Sequence, residues 1–393
     1  MKTNVTHLVF VLSIGLLPGA GAAGVFAPAA GQPNSTAVPA ADPSLQAWAT
    51  GYKDYQQGTN LTPEFITPEK ALGVPGDSNG NQEGVVFDIV SLGRGGSITV
   101  TFSRPIFNGP GYDFAVFENS FDDTFLEFAK VEVSSDGSNF VAFPAFSQVP
   151  GAVGAFGSVD TTEVEQMAGK YRGGYGTPFD LQQLVGLSAV DLDDIRYVRL
   201  NDIVGDGSAV NNLTAQAYAD WLGLPLSEVP GPLITIINSA PPVIYDVYPT
   251  VDSAGFDLDA VGVINAGPIP AQLDIDPFSS ANEIDPDSTA NINIALLNTQ
   301  INNGDPIDFD PRTVDAGSLR FGINAAPIVS GPFESDFDAD GDIDVFFSFQ
   351  TQDTGIACED TEVTLTGQTN IAEPLLATDF ISTPACEDEG CHP

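Results

Sequence analysis

One stretch of this chain predicts a β-hairpin from its residue types alone: Val131-Glu132-Val133-Ser134-Ser135-Asp136-Gly137-Ser138-Asn139-Phe140-Val141. Val131 and Val133 flank Glu132, so a strand here has one apolar face and one polar face. Asp136-Gly137 follows, and this dipeptide suits a tight turn because glycine readily adopts positive φ. The stretch therefore predicts two paired strands and favours an all-β fold for the region around it.

Strand-like segments separated by turn residues extend in both directions from this hairpin. They are Ser97–Phe102, Asp113–Glu118, Glu127–Val133, Phe140–Phe143, Tyr197–Val204, Leu233–Ile237 and Phe256–Ile264. A single helix is predicted over Leu213–Leu222, from the spacing of its Ala and Leu residues. Many short strands with one helix indicate a β-sandwich domain over residues 44–267.

A second series of strand-like segments begins after Asn265–Pro270, where glycine and prolines end the first series. It comprises Gln272–Asp276, Asn291–Leu297, Ser318–Ile323, Asp344–Phe349 and Glu362–Leu365. We expect a second, smaller β domain over residues 268–386, followed by an acidic tail at residues 387–393. The fold class expected for the whole chain is all-β, with two β-sandwich domains.

The first residues have the composition of an export signal. Lys2 precedes an apolar run over Leu8–Leu17, and the small residues up to Ala23 offer a cleavage site. A signal peptide is expected at residues 1–23, followed by a flexible Ala- and Pro-rich leader at residues 24–43. The apolar run is short for a membrane span, although a signal-anchor is the alternative. The mature protein is expected to be secreted or held at the cell surface, without membrane insertion.

Acidic residues dominate the charge of the chain: 12 Lys and Arg stand against 53 Asp and Glu, for a net charge of −41. Nucleic acid is not expected as a partner, because phosphate binding needs clusters of basic side chains. An anionic membrane surface would repel the chain for the same reason. Disorder is not indicated, since 42% of the residues are hydrophobic and strand patterns are clear.

Histidine is nearly missing from the chain, which limits its catalytic chemistry. The two histidines are His7, inside the expected signal, and His392, next to the last residue. Ser-His-Asp and Cys-His arrangements are therefore not expected in the mature protein. We do not expect the protein to be an enzyme. The alternative is a polysaccharide hydrolase that uses paired carboxylates, with Glu118, Glu127 and Glu132 as candidates.

The clearest metal-binding pattern is the acidic stretch Asp336–Asp344. Its alternate positions are the candidate calcium ligands Asp336, Asp338, Asp340, Asp342 and Asp344. Carboxylate oxygens are the hard ligands that Ca²⁺ prefers, and Gly341 supplies the positive φ that a tight loop needs. The spacing matches an EF-hand loop until Phe347, which stands where the bidentate Glu would be. The expectation is a calcium turn in a β domain, and the alternative is a solvated acidic loop.

Aromatic side chains in loops are candidates for stacking on the faces of sugars. Tyr171 and Tyr175 lie in a glycine-rich stretch and are the candidate ligand-binding residues. The alternative is that the two rings close one end of the sandwich.

A series of motifs runs through the second domain in a fixed order. They are Leu273–Pro277, Ile284–Ser288, Ser318–Gly322, the aspartate loop, Phe349–Ile356 and Asp360–Gly367. The series resembles a widespread bacterial extracellular accessory module, from which Asp276 and Phe278 depart. The resemblance implies an Ig-like or related sandwich with a calcium loop, no catalytic role, and a disulfide between Cys358 and Cys386. This pairing leaves Cys391 odd. The alternatives are a Cys386–Cys391 ring or an intermolecular bond through Cys391.

The first domain carries the motifs Ser91–Ile98, Asp113–Asn119, Val131–Gly137 and Gly255–Val261. They are similar to those of a family of bacterial cell-surface proteins. The Val131–Gly137 hairpin, together with Tyr197–Leu200, resembles discoidin-type, galactose-binding-like domains, which implies a jelly roll. The helical stretch around Ala215–Leu224 is a departure from this family.

The resemblance to galactose-binding-like sandwiches also implies a second calcium site, because such domains often carry a structural Ca²⁺. The candidate ligands are Asp202, Asp206, Asp257 and Asp259. Asp257 and Asp259 would share one face of a strand. A solvated acidic face is the alternative.

These observations predict a secreted or cell-surface calcium-binding protein. Its expected function is non-catalytic binding or adhesion, with carbohydrate as the leading ligand class. The expected partner is an extracellular glycan or another surface component. An extracellular structural or self-assembly component is the first alternative, and a polysaccharide hydrolase is the second.

Overall fold

The computed structural model describes residues 26–383, apart from 77–86, 187–188, 278, 280, 301–302 and 306. Most of the regular structure is strand, in several sheets that are antiparallel except for one parallel pair, and helices are few. The expected all-β class is therefore confirmed.

Fifteen strands lie among the described residues before residue 268, the first of them in the leader and the others in the first domain. They are β1 Val38–Pro39, β2 Ala47–Trp48, β3 Gly51–Gln56, β4 Val90–Ser91, β5 Ser97–Ile106, β6 Phe114–Glu118, β7 Ala129–Ser134, β8 Val141–Ala142, β9 Phe146–Ser147, β10 Val164–Glu165, β11 Tyr175–Phe179, β12 Ile195–Asp202, β13 Ala209–Val210, β14 Val243–Ile244 and β15 Asp257–Val263. The α-helices of this region are α1 Ala215–Trp221 and α2 Gly231–Ser239. Short 3₁₀ turns cover Pro63–Phe65, Pro68–Ala71, Thr161–Glu163, Leu181–Leu184 and Leu226–Glu228.

Two sheets face each other across the main core of this domain. One has the order β1-β11-β6-β15-β2 with β4 also paired to β15, and the other has the order β3-β5-β12-β7-β8. Val131 and Val133 of β7 are buried while Glu132 between them is half-buried, as the alternation predicts. They meet Phe114 and Val116 of β6 in one hydrophobic cluster. The first domain is thus a sandwich-like pair of sheets.

The predicted hairpin at the Asp136-Gly137 turn is confirmed. β7 and β8 pair through Glu132 and Val133, and Gly137 has a φ of +72°. The Asp136 carboxylate accepts hydrogen bonds from the backbone N–H groups of Ser138 and Asn139, both at 2.8 Å. These bonds stabilise the turn locally, and this explains why the sequence alone could predict it.

The α-helices of the first domain differ from the prediction at one place. The predicted helix over Leu213–Leu222 is present as α1, whose first turn is capped by the Thr214 hydroxyl. The predicted strand over Leu233–Ile237 is wrong, since these residues lie inside α2. Proline at the start of α2 favours a helix N-terminus, and Ile237 then packs with the apolar face of α1.

The leader differs from the flexible segment expected at residues 24–43, because its described residues pack on the first domain. The Phe26 ring lies 5.0 Å from the ring of Phe146. Val38, in β1, packs with Ala115 and Phe117 on the outer face of β6. Burial of these apolar side chains offsets the entropy of ordering the leader.

Eight strands and one short helix form the described part of the second domain. They are β16 Ile269–Pro270, β17 Leu273–Ile275, β18 Asn291–Leu296, β19 Arg320–Phe321, β20 Ile328–Ser335, β21 Asp344–Gln350, β22 Glu362–Gln368, β23 Pro374–Phe380 and α3 Thr351–Thr354. Further 3₁₀ turns cover Pro311–Thr313 and Ala316–Ser318. The sheets have the orders β16-β23-β22-β19 and β17-β18-β21-β20, with a core between them that includes Phe321, Phe347 and Phe349.

The two domains have separate cores. The main core of the first domain extends as far as Ala266, and the core of the second begins at Ile269. The boundary expected between residues 267 and 268 stays a prediction, and the change of core falls in the same place. Among the described residues, no helix has the length and apolar character needed to cross a membrane.

Asp113 links three segments of the first domain from a fully buried position. Its carboxylate accepts hydrogen bonds from the backbone N–H of Gly109 at 2.8 Å, the backbone N–H of Leu181 at 2.6 Å and the Asn265 amide at 2.7 Å. Both carboxylate oxygens are therefore needed as acceptors.

Asp113→Asn should lower the free energy of unfolding by roughly 1–3 kcal/mol, because an amide N–H₂ would then face a buried N–H donor. Chemical denaturation followed by fluorescence measures this loss. The control is Asp54→Asn at an exposed position with a φ of +53°, which asparagine accepts readily. Equal stability of the two variants would contradict the role given to Asp113.

Candidate calcium loop

The acidic stretch lies at the tip of a hairpin in the second domain. β20 and β21 pair antiparallel, with Ser335 opposite Asp344 at the base of the loop. The loop between them turns at Ala339 and Gly341, whose φ values are +65° and +104°. The positive φ expected at Gly341 is therefore present, and it brings successive aspartates to one side of the turn.

Three of the five predicted ligands come together in this loop. One carboxylate oxygen from each of Asp336, Asp338 and Asp340 lies within 4.8 Å of the others, and all three side chains are exposed. Backbone N–H groups shape the loop, since Gly341 donates to Asp336 at 3.2 Å and Asp340 to Asp338 at 3.2 Å. Partial burial raises the pKa of Asp338, and the charges of Asp344 and Asp340 raise it further.

Asp342 and Asp344 differ from the other three because their carboxylates accept hydrogen bonds that fix the loop to its surroundings. Asp342 accepts a hydrogen bond from the Gln300 amide at 2.7 Å, which joins the loop to its neighbour. Asp344 is fully buried and accepts from the backbone N–H groups of Asn298 at 2.9 Å and Phe337 at 2.7 Å. These two residues hold the loop in place while Asp336, Asp338 and Asp340 face outward.

The donor set of the loop fits a hard divalent cation. Three carboxylates supply oxygen ligands only, and their mutual repulsion falls when a cation lies between them. Among the described residues, no other group of three His, Cys, Asp or Glu ligand atoms lies as close together. Of the five predicted ligands, these three bring their carboxylate oxygens together, and their binding of a metal stays a prediction.

An open groove beside the loop was not found by sequence reasoning. Asp338 lines it together with Asp274 and Asp379, which come from β17 and β23. Burial raises the pKa of Asp274, and the neighbouring charge of Asp379 raises it further. Asp379 also accepts a hydrogen bond from the Asn282 amide at 3.0 Å. The groove joins segments that are distant in the chain, so that no local motif signals it.

Among the described residues, no three of the four candidate ligands of the second calcium site bring their carboxylate oxygens together, although burial and the charge of Asp202 raise the pKa of Asp257. Asp202 accepts hydrogen bonds from the backbone N–H groups of Gly95 and Phe256, both at 2.8 Å. Asp206 is exposed and accepts from Ser208 at 2.9 Å. Asp259 accepts from Gly76 at 2.9 Å. Asp257 is buried at the start of β15. Asp202 thus stabilises the glycine-rich turn before β5.

The two candidate tyrosines also differ. Tyr171 is 1% exposed, and its hydroxyl is hydrogen-bonded to Thr36 of the leader at 2.8 Å. It has no exposed ring face on which a sugar could stack. Tyr175 is half-buried at the start of β11, with the Arg172 guanidinium 4.7 Å from its ring centre. Of the pair, Tyr175 alone keeps some exposure.

The predicted disulfide falls partly outside the described residues. Cys358 lies in the turn after α3, whereas Cys386 and Cys391 lie beyond residue 383. The Cys358–Cys386 pairing stays a prediction.

No protein-family model matches this chain, and no curated protein matches it.

Asp344→Asn should lower the stability of the second domain by roughly 1–3 kcal/mol, with calcium or with chelator, because it removes a buried acceptor from a backbone N–H. Asp340→Asn is the matched control, since the exposed side chain can still accept from Asp342 with its amide oxygen. Chemical denaturation in the presence of chelator measures the stability of both variants. If Asp340→Asn loses as much stability as Asp344→Asn in chelator, the separation of roles is incorrect.

Proposed function

We propose that the chain is a secreted or cell-surface calcium-binding protein with a non-catalytic binding or adhesion function. The observation that carries this proposal is the convergence of Asp336, Asp338 and Asp340 at the tip of the β20–β21 hairpin. In the extracellular space, Ca²⁺ is the abundant cation that prefers such ligands.

Calcium in this loop would act first on stability. The net charge of −41 makes the folded chain repel itself, and the loop places three of those charges side by side. A cation that binds the folded loop more tightly than the unfolded chain stabilises the fold by mass action. Metal occupancy and the order of the hairpin tip are then coupled.

We propose finer folds for the two domains on the basis of the facing sheets. The first domain is proposed to be a galactose-binding-like jelly roll, because sheets of six and five strands enclose its core. The second is proposed to be an Ig-like or related sandwich, with two four-stranded sheets around its own core.

Carbohydrate is the leading ligand class in this proposal, and the groove beside the loop supports it. Its three carboxylates, Asp274, Asp338 and Asp379, can accept hydrogen bonds from sugar hydroxyls. A Ca²⁺ held by Asp338 could also accept hydroxyl ligands directly. The groove lies next to the proposed metal, so ligand binding would depend on calcium.

The hydrolase alternative finds little support at its candidate residues. Glu118 and Glu127 are 2% and 6% exposed, so a polysaccharide cannot reach them. Glu132 lies 3.6 Å from Arg199 in an ion pair on the outer face of β7. A glycosidase needs both carboxyl groups beside the bound sugar.

Self-assembly is the second candidate function, and the β20 edge favours it. β20 is the last strand of its sheet, and Val329 and Phe333 on it are exposed. Exposed apolar side chains on an edge strand can pack against another copy, although Pro332 and the register shifts of β20 limit backbone pairing along this edge. Analytical ultracentrifugation at several protein concentrations measures self-association. Association in the parent that Phe333→Lys abolishes would favour this function over glycan binding.

Calcium should raise the melting temperature of the protein, and Asp338→Ala with Asp340→Ala should remove the part due to the loop. At a calcium concentration about 100 times Kd, linkage gives about 2.7 kcal/mol of stabilisation. Thermal melts in calcium and in chelator measure this difference.

The control is Glu334→Ala with Glu362→Ala, which removes two exposed charges from the same domain but not from the loop. It should keep the full calcium response. An identical calcium response in the loop double variant and the parent would rule out the loop as a metal site. A glycan screen in calcium and in chelator then tests the ligand class.

A further inference from the structure

The segment between the two cores, residues 265–270, runs beside the end of β5 and is bonded to it. The N–H of Phe107 donates to the carbonyl of Asn265 at 3.0 Å, and the N–H of Gly267 donates to the carbonyl of Pro105 at 2.7 Å. Connections between domains are ordinarily exposed, flexible and poor in contacts. This connection is instead held to the first domain along its backbone.

Arg104 of β5 fixes the same segment with its side chain. The residue is 6% exposed, and its guanidinium donates to the carbonyl of Gly267 from Nε at 2.8 Å and to that of Ala266 from Nη2 at 2.9 Å. The ion pairs among the described residues do not include Arg104. Its buried charge is therefore directed at the connecting segment, through charge-assisted hydrogen bonds that are stronger than neutral ones.

The other end of the segment belongs to the second domain. It forms β16, which pairs with β23, and the N–H of Ala271 donates to the carbonyl of Leu376 at 3.0 Å. Only Pro268 stands between the bonded Gly267 and β16, and the ring of proline fixes φ. Little rotational freedom is left for a hinge.

An open cleft of about 470 Å³ lies between the domains beside this segment. Pro105 and Phe107 line it from the first domain, and Pro374 and Leu376 line it from the second. The facing side chains are thus not closely packed at this place. The bonded segment, rather than a close interface, holds the domains together here.

We propose that the segment clamped by Arg104 couples the two domains, so that they unfold as one cooperative unit and the stability of the second domain is transmitted to the first. Two domains joined by a free linker would unfold in separate transitions. Here, unfolding of the second domain would release β16 and let water reach the buried guanidinium, which weakens its bonds to the segment. Such a coupling acts equally in both directions.

The aromatic residues of the chain make the two domains separately observable. Both tryptophans, Trp48 and Trp221, and all 9 tyrosines precede residue 268. Tryptophan fluorescence therefore reports the first domain alone, whereas far-UV circular dichroism reports the strands of both domains.

The test is urea unfolding of the full chain in the presence of chelator, followed by both signals. The two midpoints should coincide in the parent. Asp344→Asn, a change in the second domain, should shift the fluorescence midpoint by as much as the dichroism midpoint. The matched control is Asp340→Asn in the same loop, where the side chain is exposed, and it should shift neither.

Two variants release the clamp. Arg104→Gln removes the forked donor, and insertion of Gly-Gly-Ser-Gly between Gly267 and Pro268 lengthens the connection without changing a residue of either core. In each variant the two midpoints should separate, and Asp344→Asn should no longer shift the fluorescence midpoint. The control Arg312→Gln removes a guanidinium that pairs with an aspartate at the surface, and it should keep the midpoints together.

Separate midpoints in the parent would overturn the proposal. Midpoints that still coincide after the insertion would overturn it too, and this variant answers the question even where Arg104→Gln does not fold. Failure of the calcium proposal gives a different result, because it changes only the response to added calcium, whereas every measurement of coupling is made in chelator.

Discussion

Hydrogen bonds from backbone N–H groups to buried carboxylates are the interaction on which this structure depends. With 12 basic residues against 53 acidic ones, the chain cannot pair its buried acids with Arg or Lys. Asp113, Asp246 and Asp344 instead accept two N–H groups each, from segments that lie outside regular strands. Such charge-assisted bonds satisfy both partners, so loops of the two sandwiches are held by acids.

This arrangement also separates structural acids from those available to a metal. Asp344 uses both oxygens within the protein, whereas Asp336, Asp338 and Asp340 keep free lone pairs at the hairpin tip. In the first domain, Asp246 likewise uses both oxygens within the protein. Aspartates that look equivalent in the sequence therefore divide into two groups, according to how many N–H donors reach them.

The sequence predicted features that depend on neighbouring residues. The Asp136-Gly137 hairpin, the helix after Thr214 and the turn at Gly341 all follow from local conformational preference and local hydrogen bonds. At Leu233–Ile237 the composition alone cannot distinguish a strand from a helix, because Ile and Leu residues suit a strand as well as the buried face of α2.

The features that the sequence could not predict depend on contacts between distant segments. Asp344 is bonded to Asn298, and Tyr171 is enclosed by Thr36 of the leader. Burial and the charge of Asp257 raise the pKa of Glu127. Asp257 begins β15 of one sheet and Glu127 lies just before β7 of the other, so only the fold brings these two segments near each other. With 53 acids in the chain, spacing along the sequence cannot select such a pair.

The packed leader determines which strand forms the edge of the first sheet beside β11. β1 covers the free side of β11 for only two residues, and the second of them is Pro39, which has no N–H to offer a further strand. A short edge that ends in proline is a poor template for pairing between molecules. The leader thus reduces the tendency of this sheet edge to pair with other molecules. The central strands of the same sheet, β6 and β15, are buried along their whole length.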